Sequence, residues 1–238
     1  MPSYPQPIVT VDVVLLTLID GELSTALVQR EHAPHAGEWT LPGGWVHTDE
    51  DEDALAAAVR ILKAKAGVTS PYLEQLQTFA SRHRDNRGWS VSIAYYALLP
   101  HELVEGRAAA QVTPIATTPH IKWRGVDDIR SLPFDHLEIL RTAVDRVRSK
   151  TLYSALPVHL MPQAFTLSEL QRVYEQLLGG PLDKRGFRRR IEELDIIEPA
   201  PREPGTREAH RPAQHYRVKR RAARLLPTAP RNLDVKSA

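Results

Sequence analysis

Between Phe165 and Val218 the sequence restricts its own fold more tightly than anywhere else. Thr166 and Glu169 form a capping box, after which Leu167, Leu170, Val173, Tyr174, Leu177 and Leu178 share one helical face until Gly179-Gly180-Pro181 ends it. A second helix is predicted from about Asp183 to Leu194, with Phe187, Ile191 and Leu194 as its buried stripe at i, i+4 and i+7. Strand-like Ile196-Ile197, a polar loop from Pro201 to Pro212 and a second strand through His215-Tyr216-Arg217-Val218 complete a helix, helix, hairpin order.

That order is the order of a winged helix-turn-helix, and the side of the second helix opposite its stripe is basic. Lys184, Arg185, Arg188 and Arg189 occupy its first two turns, which suits insertion of a helix N-terminus into a DNA major groove. Phosphate contacts would supply affinity, and bidentate arginine pairing with guanine would supply base reading. The alternative is a solubilising face, since Glu192 and Glu193 end the basic run. Charge along the chain agrees with a polyanion partner for this half: 15 Lys and Arg stand against 19 Asp and Glu up to Lys150, and 16 against 10 after it. Arg207, His210 and Arg211 in the polar loop fit a wing over phosphates or the minor groove, or a surface loop. Arg217 through Arg224 read as further contacts or as a solvated tail.

The first 150 residues alternate strands with helices. Ile8–Leu18 and Ser24–Arg30 are apolar, β-branched runs joined at Asp20-Gly21, a hairpin signal. From Asp51 to Ala66, Leu55, Ala58, Val59, Leu62 and Ala66 recur at helical spacing up to Gly67, predicting one amphipathic helix. Two strands between Leu76 and Leu99 flank the turn-rich RHRDNRG, with Val91, Ile93 and Tyr95 alternating with Ser90, Ser92 and Ala94. Residues 104–121 read as a loop, followed by a short strand near Trp123 and a helix from about Asp135 to Lys150. Leu152–Pro162, with two prolines, reads as the connection between domains. With 42% apolar and 25% charged residues the composition is that of a globular protein. Cysteine is absent, which removes thiolate metal sites and suits a reducing compartment; with no basic-then-apolar leader and no membrane-length apolar run, the expected location is the cytoplasm.

Leu41–Val68, LPGGWVHTDEDEDALAAAVRILKAKAGV, resembles the Nudix box: Gly, five residues, Glu, seven residues, Arg-Glu, apolar, any, Glu-Glu, any, Gly, apolar. Gly44 and Glu50 fit the first spacing, and Arg60, Leu62, Gly67 and Val68 fit the end. The middle is two residues too long. The three carboxylates expected after the arginine fall on Ile61, Ala64 and Lys65. Box chemistry is metal-assisted attack of water on a diphosphate, for which carboxylates at i, i+3 and i+4 share a helix face and hold hard divalent cations through oxygen. An isoleucine cannot ligate magnesium and a lysine repels it. Asp49–Asp53 is acidic, but acidic residues at a helix start are also favoured by the helix dipole. No catalytic or metal-binding residue is therefore assigned. A scaffold of this kind could still bind a nucleotide without metal, using guanidinium groups for phosphate and aromatic faces for a base or ribose; the candidates are Arg30, Arg82, Arg84 and Arg87, with Trp39 or Trp45.

Taken together, the altered box, RHRDNRGWSVSIAYYAL, PFDHLEIL, and FTLSELQRVYEQLLGGPLDKRGFRRRI followed by RPAQHYRV resemble the Nudix-related transcriptional regulators of NAD metabolism, the NrtR family, over about residues 8 to 218. The resemblance implies an α+β protein with an N-terminal Nudix-like α/β/α sandwich on a mixed sheet, residues 1–153, and a C-terminal winged helix-turn-helix, residues 154–238. It further implies a homodimer on a palindromic operator, no required cofactor, and ADP-ribose or a related NAD metabolite as effector that relieves repression of NAD synthesis or salvage genes. Carried over residue by residue, it puts the recognition helix at Asp183–Leu194 and the ligand pocket near Arg30, Gly43, Gly44 and the Arg82–Arg87 turn. The insertion after Glu50 and the loop at 104–121 depart from the family pattern. Two rival functions follow from the same residues: a working ADP-ribose or nucleotide pyrophosphatase using Glu50, Asp51 and Glu52 for metal, and a sugar-responsive regulator on the same scaffold.

Overall fold

The computed structural model describes residues 6–68, 72–104, 121–201 and 213–220. Most of the expected 104–121 loop, the wing residues Arg207, His210 and Arg211, and the tail from residue 221 lie outside them. The chain divides into two compact units, Met1–Thr17 with Leu23–Asp145, and Leu18–Glu22 with Arg146–Ala238.

Among the described residues of the first unit, seven strands build a mixed sheet: β1 (Ile8–Ile19), β2 (Glu22–Gln29), β3 (Trp39–Thr40), β4 (Gly43–Trp45), β5 (Tyr72–Ser81), β6 (Ser90–Leu98) and β7 (Ile121–Gly125). The order is β3-β2-β1-β6-β5, with β4 pairing β1 and β7 pairing β2. The β1–β2 hairpin turns where expected. Asp20 and Gly21 both hold positive φ, 49° and 85°, which is the geometry whose twist matches the flanking strands. β1 is the centre of the sheet, parallel to β6 and antiparallel to β4. From Val11 to Leu16 it is at most 4% exposed on both faces, so its near-continuous β-branched run reflects cover from two sides.

The expected helix over residues 51–66 is two pieces. Helix α1 spans Ala54–Ile61 and is followed by one π-turn over Leu62–Ala66, closed by Gly67 at φ 65°. The buried positions are Ala57, Ala58, Ile61, Leu62 and Ala66, packed on Val11, Val13, Leu15 and Ala26, while Leu55 and Val59 are exposed. Small alanines let the helix approach the sheet, and the π-turn carries the buried face on to Leu62 and Ala66. A short helix α2 (His101–Val104) follows β6, and α3 runs over His136–Tyr153, burying Ile139, Ala143 and Val147 completely. No described helix is long and apolar enough to cross a membrane.

In the second unit, β8 (Phe165–Thr166), α4 (Leu167–Leu178), α5 (Lys184–Leu194), β9 (Ile197–Pro199) and β10 (His215–Val218) follow the expected order, with a three-stranded sheet β8-β10-β9. The capping box forms as read: Glu169 N–H donates to Thr166 Oγ1 at 3.2 Å, and Thr166 N–H donates to Glu169 Oε2 at 2.7 Å. Leu152–Pro162, expected as the connection between domains, is buried from Ser154 to Met161. Leu156–Leu160 is a buried 3-10 turn, and Ala155, Val158 and Met161 join Phe165, Leu170, Tyr174, Phe187 and Ile191 in one core.

Burial holds the His159 imidazole down to about 4. The unfolded chain takes up a proton near pH 6.5 that the folded unit refuses until about pH 4. Stability is therefore fully present above pH 6.5 and falls as pH drops through that window. Urea unfolding at pH 7.5 and pH 4.5 is expected to show a loss on the order of 3 kcal/mol from this group, absent in His159→Gln; an unchanged difference in that variant would assign the loss elsewhere.

Candidate functional site

A cavity of about 450 Å³ opens in the first unit, within the size range of small-molecule sites, and is lined by residues from β1, the loop after β2, β4, the π-turn, the β5–β6 turn and the start of α3. Its floor is organised by Asp12, which is 4% exposed on the central strand. Ser92 Oγ donates to Asp12 Oδ2 at 2.6 Å, and Arg84 Nη2 reaches the same oxygen at 3.4 Å. Arg84 also grips Asp135 through two parallel bonds of 2.8 and 2.9 Å and donates to Ser90 Oγ at 3.3 Å. His136 Nδ1 accepts the Leu41 N–H at 3.1 Å, so its proton sits on Nε2, 3.5 Å from Asp12 Oδ1; burial holds this imidazole below its ordinary pKa. Ser90, Ser92 and Ala94 are buried where alternation alone singles out Val91 and Ile93, because the small face of β6 meets this polar cluster.

Gly43 is fixed by the same carboxylate. A Cβ there would stand 1.9 Å from Asp12 Oδ1 and 3.2 Å from the Val11 carbonyl, so no side chain fits between β4 and β1. At Gly44 the nearest atoms would be Ile61 side-chain carbons at 3.7 Å, ordinary contact.

Four cations line the cavity, Arg30, Lys65, Arg84 and Arg87, against the carboxylates Asp12 and Asp85. Asp85 is spoken for by Arg87, which donates to it at 2.6 Å and holds its carboxyl below the usual range. Arg30 is pushed below its ordinary pKa by burial and by Arg87, and Lys65 by burial and by Arg30. Two partly desolvated cations facing the same cavity are a condition an anionic ligand relieves. Arg30 lies over the Phe134 ring at 5.0 Å and Arg87 over Trp45 at 5.8 Å, giving flat faces at the mouth.

Of the expected ligand residues, Arg30, Gly43, Gly44, Arg84 and Arg87 line this cavity together with Trp45. Arg82 is exposed and is not among the lining residues, and Trp39 lines a neighbouring groove with Lys122 over its ring. In the alternation of a tight turn Arg84 points inward and Arg82 does not. Sequence reasoning passed over Asp12, Lys65, Phe134 and His136. The signal for Asp12 was a single charge inside a buried apolar strand, and for Lys65 its place in the box.

The residues present do not fit a divalent metal. Asp51 accepts two bonds from Arg60, 2.7 and 2.6 Å, which hold its carboxyl at about 2, and it also accepts the His47 N–H. Glu50 pairs with His47, and Asp53 caps α1 by accepting Ala56 N–H. The two inserted residues thus close a turn braced on Arg60. Among the described residues no three His, Asp or Glu side chains come together in a metal-binding arrangement.

In the second unit, Asp183 caps α5 by accepting Gly186 N–H at 2.8 Å. Phe187, Arg190 and Ile191 are buried, and Lys184, Arg185, Arg188 and Arg189 are exposed together on the other side. Arg190, the third of three consecutive arginines, turns inward and donates to the Leu152 carbonyl at 3.1 Å.

A mixed sheet with a degenerate Nudix box around a cationic cavity, followed by a winged helix with one basic face, defines a Nudix domain coupled to a nucleic-acid-binding unit. The models of the NUDIX domain and of the NrtR DNA-binding winged helix domain match residues 7–150 and 157–218. The chain is 39% identical over 217 residues to the ADPR-responsive transcriptional repressor NtrR of Acinetobacter baylyi, covering 90% of this chain and 83% of the relative. It is similar to Shewanella oneidensis NrtR complexed with a 27mer DNA, with a TM-score of 0.83, 38% identity and coverage of 95% and 99% of the two chains. The NUDIX domain of that protein complexed with ADP ribose aligns at 36% identity and a TM-score of 0.51, covering 60% of this chain and 90% of the domain. The chain belongs to the NrtR family of Nudix-related transcriptional regulators.

Gly43→Ala is expected to cost about 1–3 kcal/mol by forcing Asp12 and β4 apart, whereas Gly44→Ala stays near wild type. Denaturant unfolding of both variants checks this; equal effects would remove the special role of Gly43.

Proposed function

We propose that this chain represses genes of NAD synthesis or salvage, binding a palindromic operator as a homodimer and releasing it when ADP-ribose or a related NAD metabolite occupies the cavity. The sensing domain is residues 1–153 and the DNA-binding domain 154–238, and the protein works beside the chromosome in the cytoplasm. The observation that carries the reading is that Lys184, Arg185, Arg188 and Arg189 stand exposed as a set on α5 while Phe187 and Ile191 are buried beneath them. The named partners of its relatives, a 27mer DNA and ADP ribose, fit the two halves. In the cavity, Arg30 and Arg87 meet the diphosphate, the Gly43-Gly44 backbone lets it approach, and Trp45 and Phe134 offer faces to base or ribose. The domain does not hydrolyse its ligand, because its box carboxylates are replaced or committed to Arg60, His47 and the cap of α1.

Control follows from linkage. A ligand that weakens DNA binding by some factor is itself bound more weakly by the DNA complex by that same factor. Binding to a genomic fragment library at one fixed salt, with and without ADP-ribose, tests both halves at once. A palindrome bound tightly and released by ADP-ribose is the expected result. Specific binding that only sugars or sugar phosphates release would transfer the effector to another class, and cleavage of ADP-ribose in magnesium would overturn the non-hydrolytic reading.

Single alanine variants of Arg188 and Arg189 sort their roles. A phosphate contact lowers the slope of log affinity against log salt by about 1, whereas a base contact costs about 1–3 kcal/mol and relaxes one operator position. A variant that changes neither sinks the assignment of that residue.

A further inference from the structure

Three observations converge on Lys65. It occupies a box position at which metal-assisted hydrolysis needs a carboxylate. It lines the cavity with Arg30, Arg84 and Arg87, and its Nζ donates to the Gly43 carbonyl at 2.6 Å. An ammonium has three N–H groups, and this bond uses one. Among the described residues no carboxylate lies within ion-pair distance of Nζ. The cavity's own carboxylates are engaged elsewhere, Asp12 with Arg84, Ser92 and His136, and Asp85 with Arg87. The residue remains exposed overall, so a ligand entering from solvent reaches the ammonium.

We propose that Lys65 is a built-in counter-cation for the ligand's diphosphate, tethered by the Gly43 carbonyl, that takes the place of a divalent metal and makes effector binding metal-independent. This rests on reading the cavity as a nucleotide-diphosphate site. A fixed ammonium supplies positive charge beside the phosphates and two donors for their oxygens without asking the protein for oxygen ligands. An ammonium at this position serves anion binding and not metal ligation. The depressed ammonium pKa is relieved by an arriving anion, in the same sense.

Calorimetric titration of the full-length protein with ADP-ribose, in EDTA and then in magnesium, gives the test, using wild type, Lys65→Met, Lys65→Gln and Lys65→Arg. Glutamine keeps a donor for the Gly43 carbonyl and removes the charge, so it separates tether from counter-cation. Wild type is expected to bind equally in both buffers, Met and Gln to lose about 10- to 100-fold, and Arg to keep most of the affinity. A Gln variant that binds like wild type, a Met variant that does so, or a wild type that needs magnesium overturns the proposal. Failure of wild type to bind ADP-ribose in either buffer overturns the reading of the cavity itself, and is distinguishable from all of these.

Discussion

The buried carboxylate of Asp12 organises the first unit. It sits on the central strand of the sheet, where an unpaired charge would cost several kcal/mol; three separate segments satisfy it and a fourth packs against it. Ser92 comes from the parallel neighbour β6, Arg84 from the β5–β6 turn, His136 from the start of α3, and Gly43 brings the backbone of β4 to within what would be overlap with any side chain. Arg84 then carries the connection to Asp135, so the entry to α3 is fixed by the same charge. The cavity is the space left over when these segments converge. Its geometry is thus set by polar satisfaction, while apolar packing is supplied by α1 and by Ile139, Ala143 and Val147 of α3.

The second unit solves a different problem, that of presenting charge without burying it. α5 is cationic on one side and apolar on the other, and its apolar side is anchored by Phe187 stacked edge-on against Tyr174 at 5.2 Å. Tyr174 in turn donates to the Ser154 carbonyl at 3.1 Å, and Arg190 to the Leu152 carbonyl. These two bonds tie helices α4 and α5 to the same short stretch of chain. They fix the roll of α5 about its axis, and that roll decides which of its arginines face outward. Three arginines in a row therefore divide two to one between surface and core.

Periodicity revealed the winged helix almost completely, because each of its elements is short, capped and one-sided: the Thr166/Glu169 box, the Gly179 stop and the Phe187, Ile191 stripe are local signals. The same method misjudged the box helix, since a stripe through Leu55 and Val59 looks as good as one through Ala57 and Ile61 until a sheet is present to choose between them, and nothing local announces a π-turn. It read Leu152–Pro162 as a connection without foreseeing its burial, because proline marks a change of direction and not exposure. In the cavity, the arginines of the RHRDNRG turn were legible as a group, but which of them faces inward depends on Asp12 and Asp135, 72 and 51 residues distant in sequence. Lys65 was legible as a loss of carboxylate and not as a gain of cation, because its partner is a backbone carbonyl.

Ile61 is 1% exposed and packs in the core under Gly44. A glutamate placed there would enter an apolar pocket with no partner. Packing alone therefore bars the first acid of the box, whatever stands at positions 64 and 65.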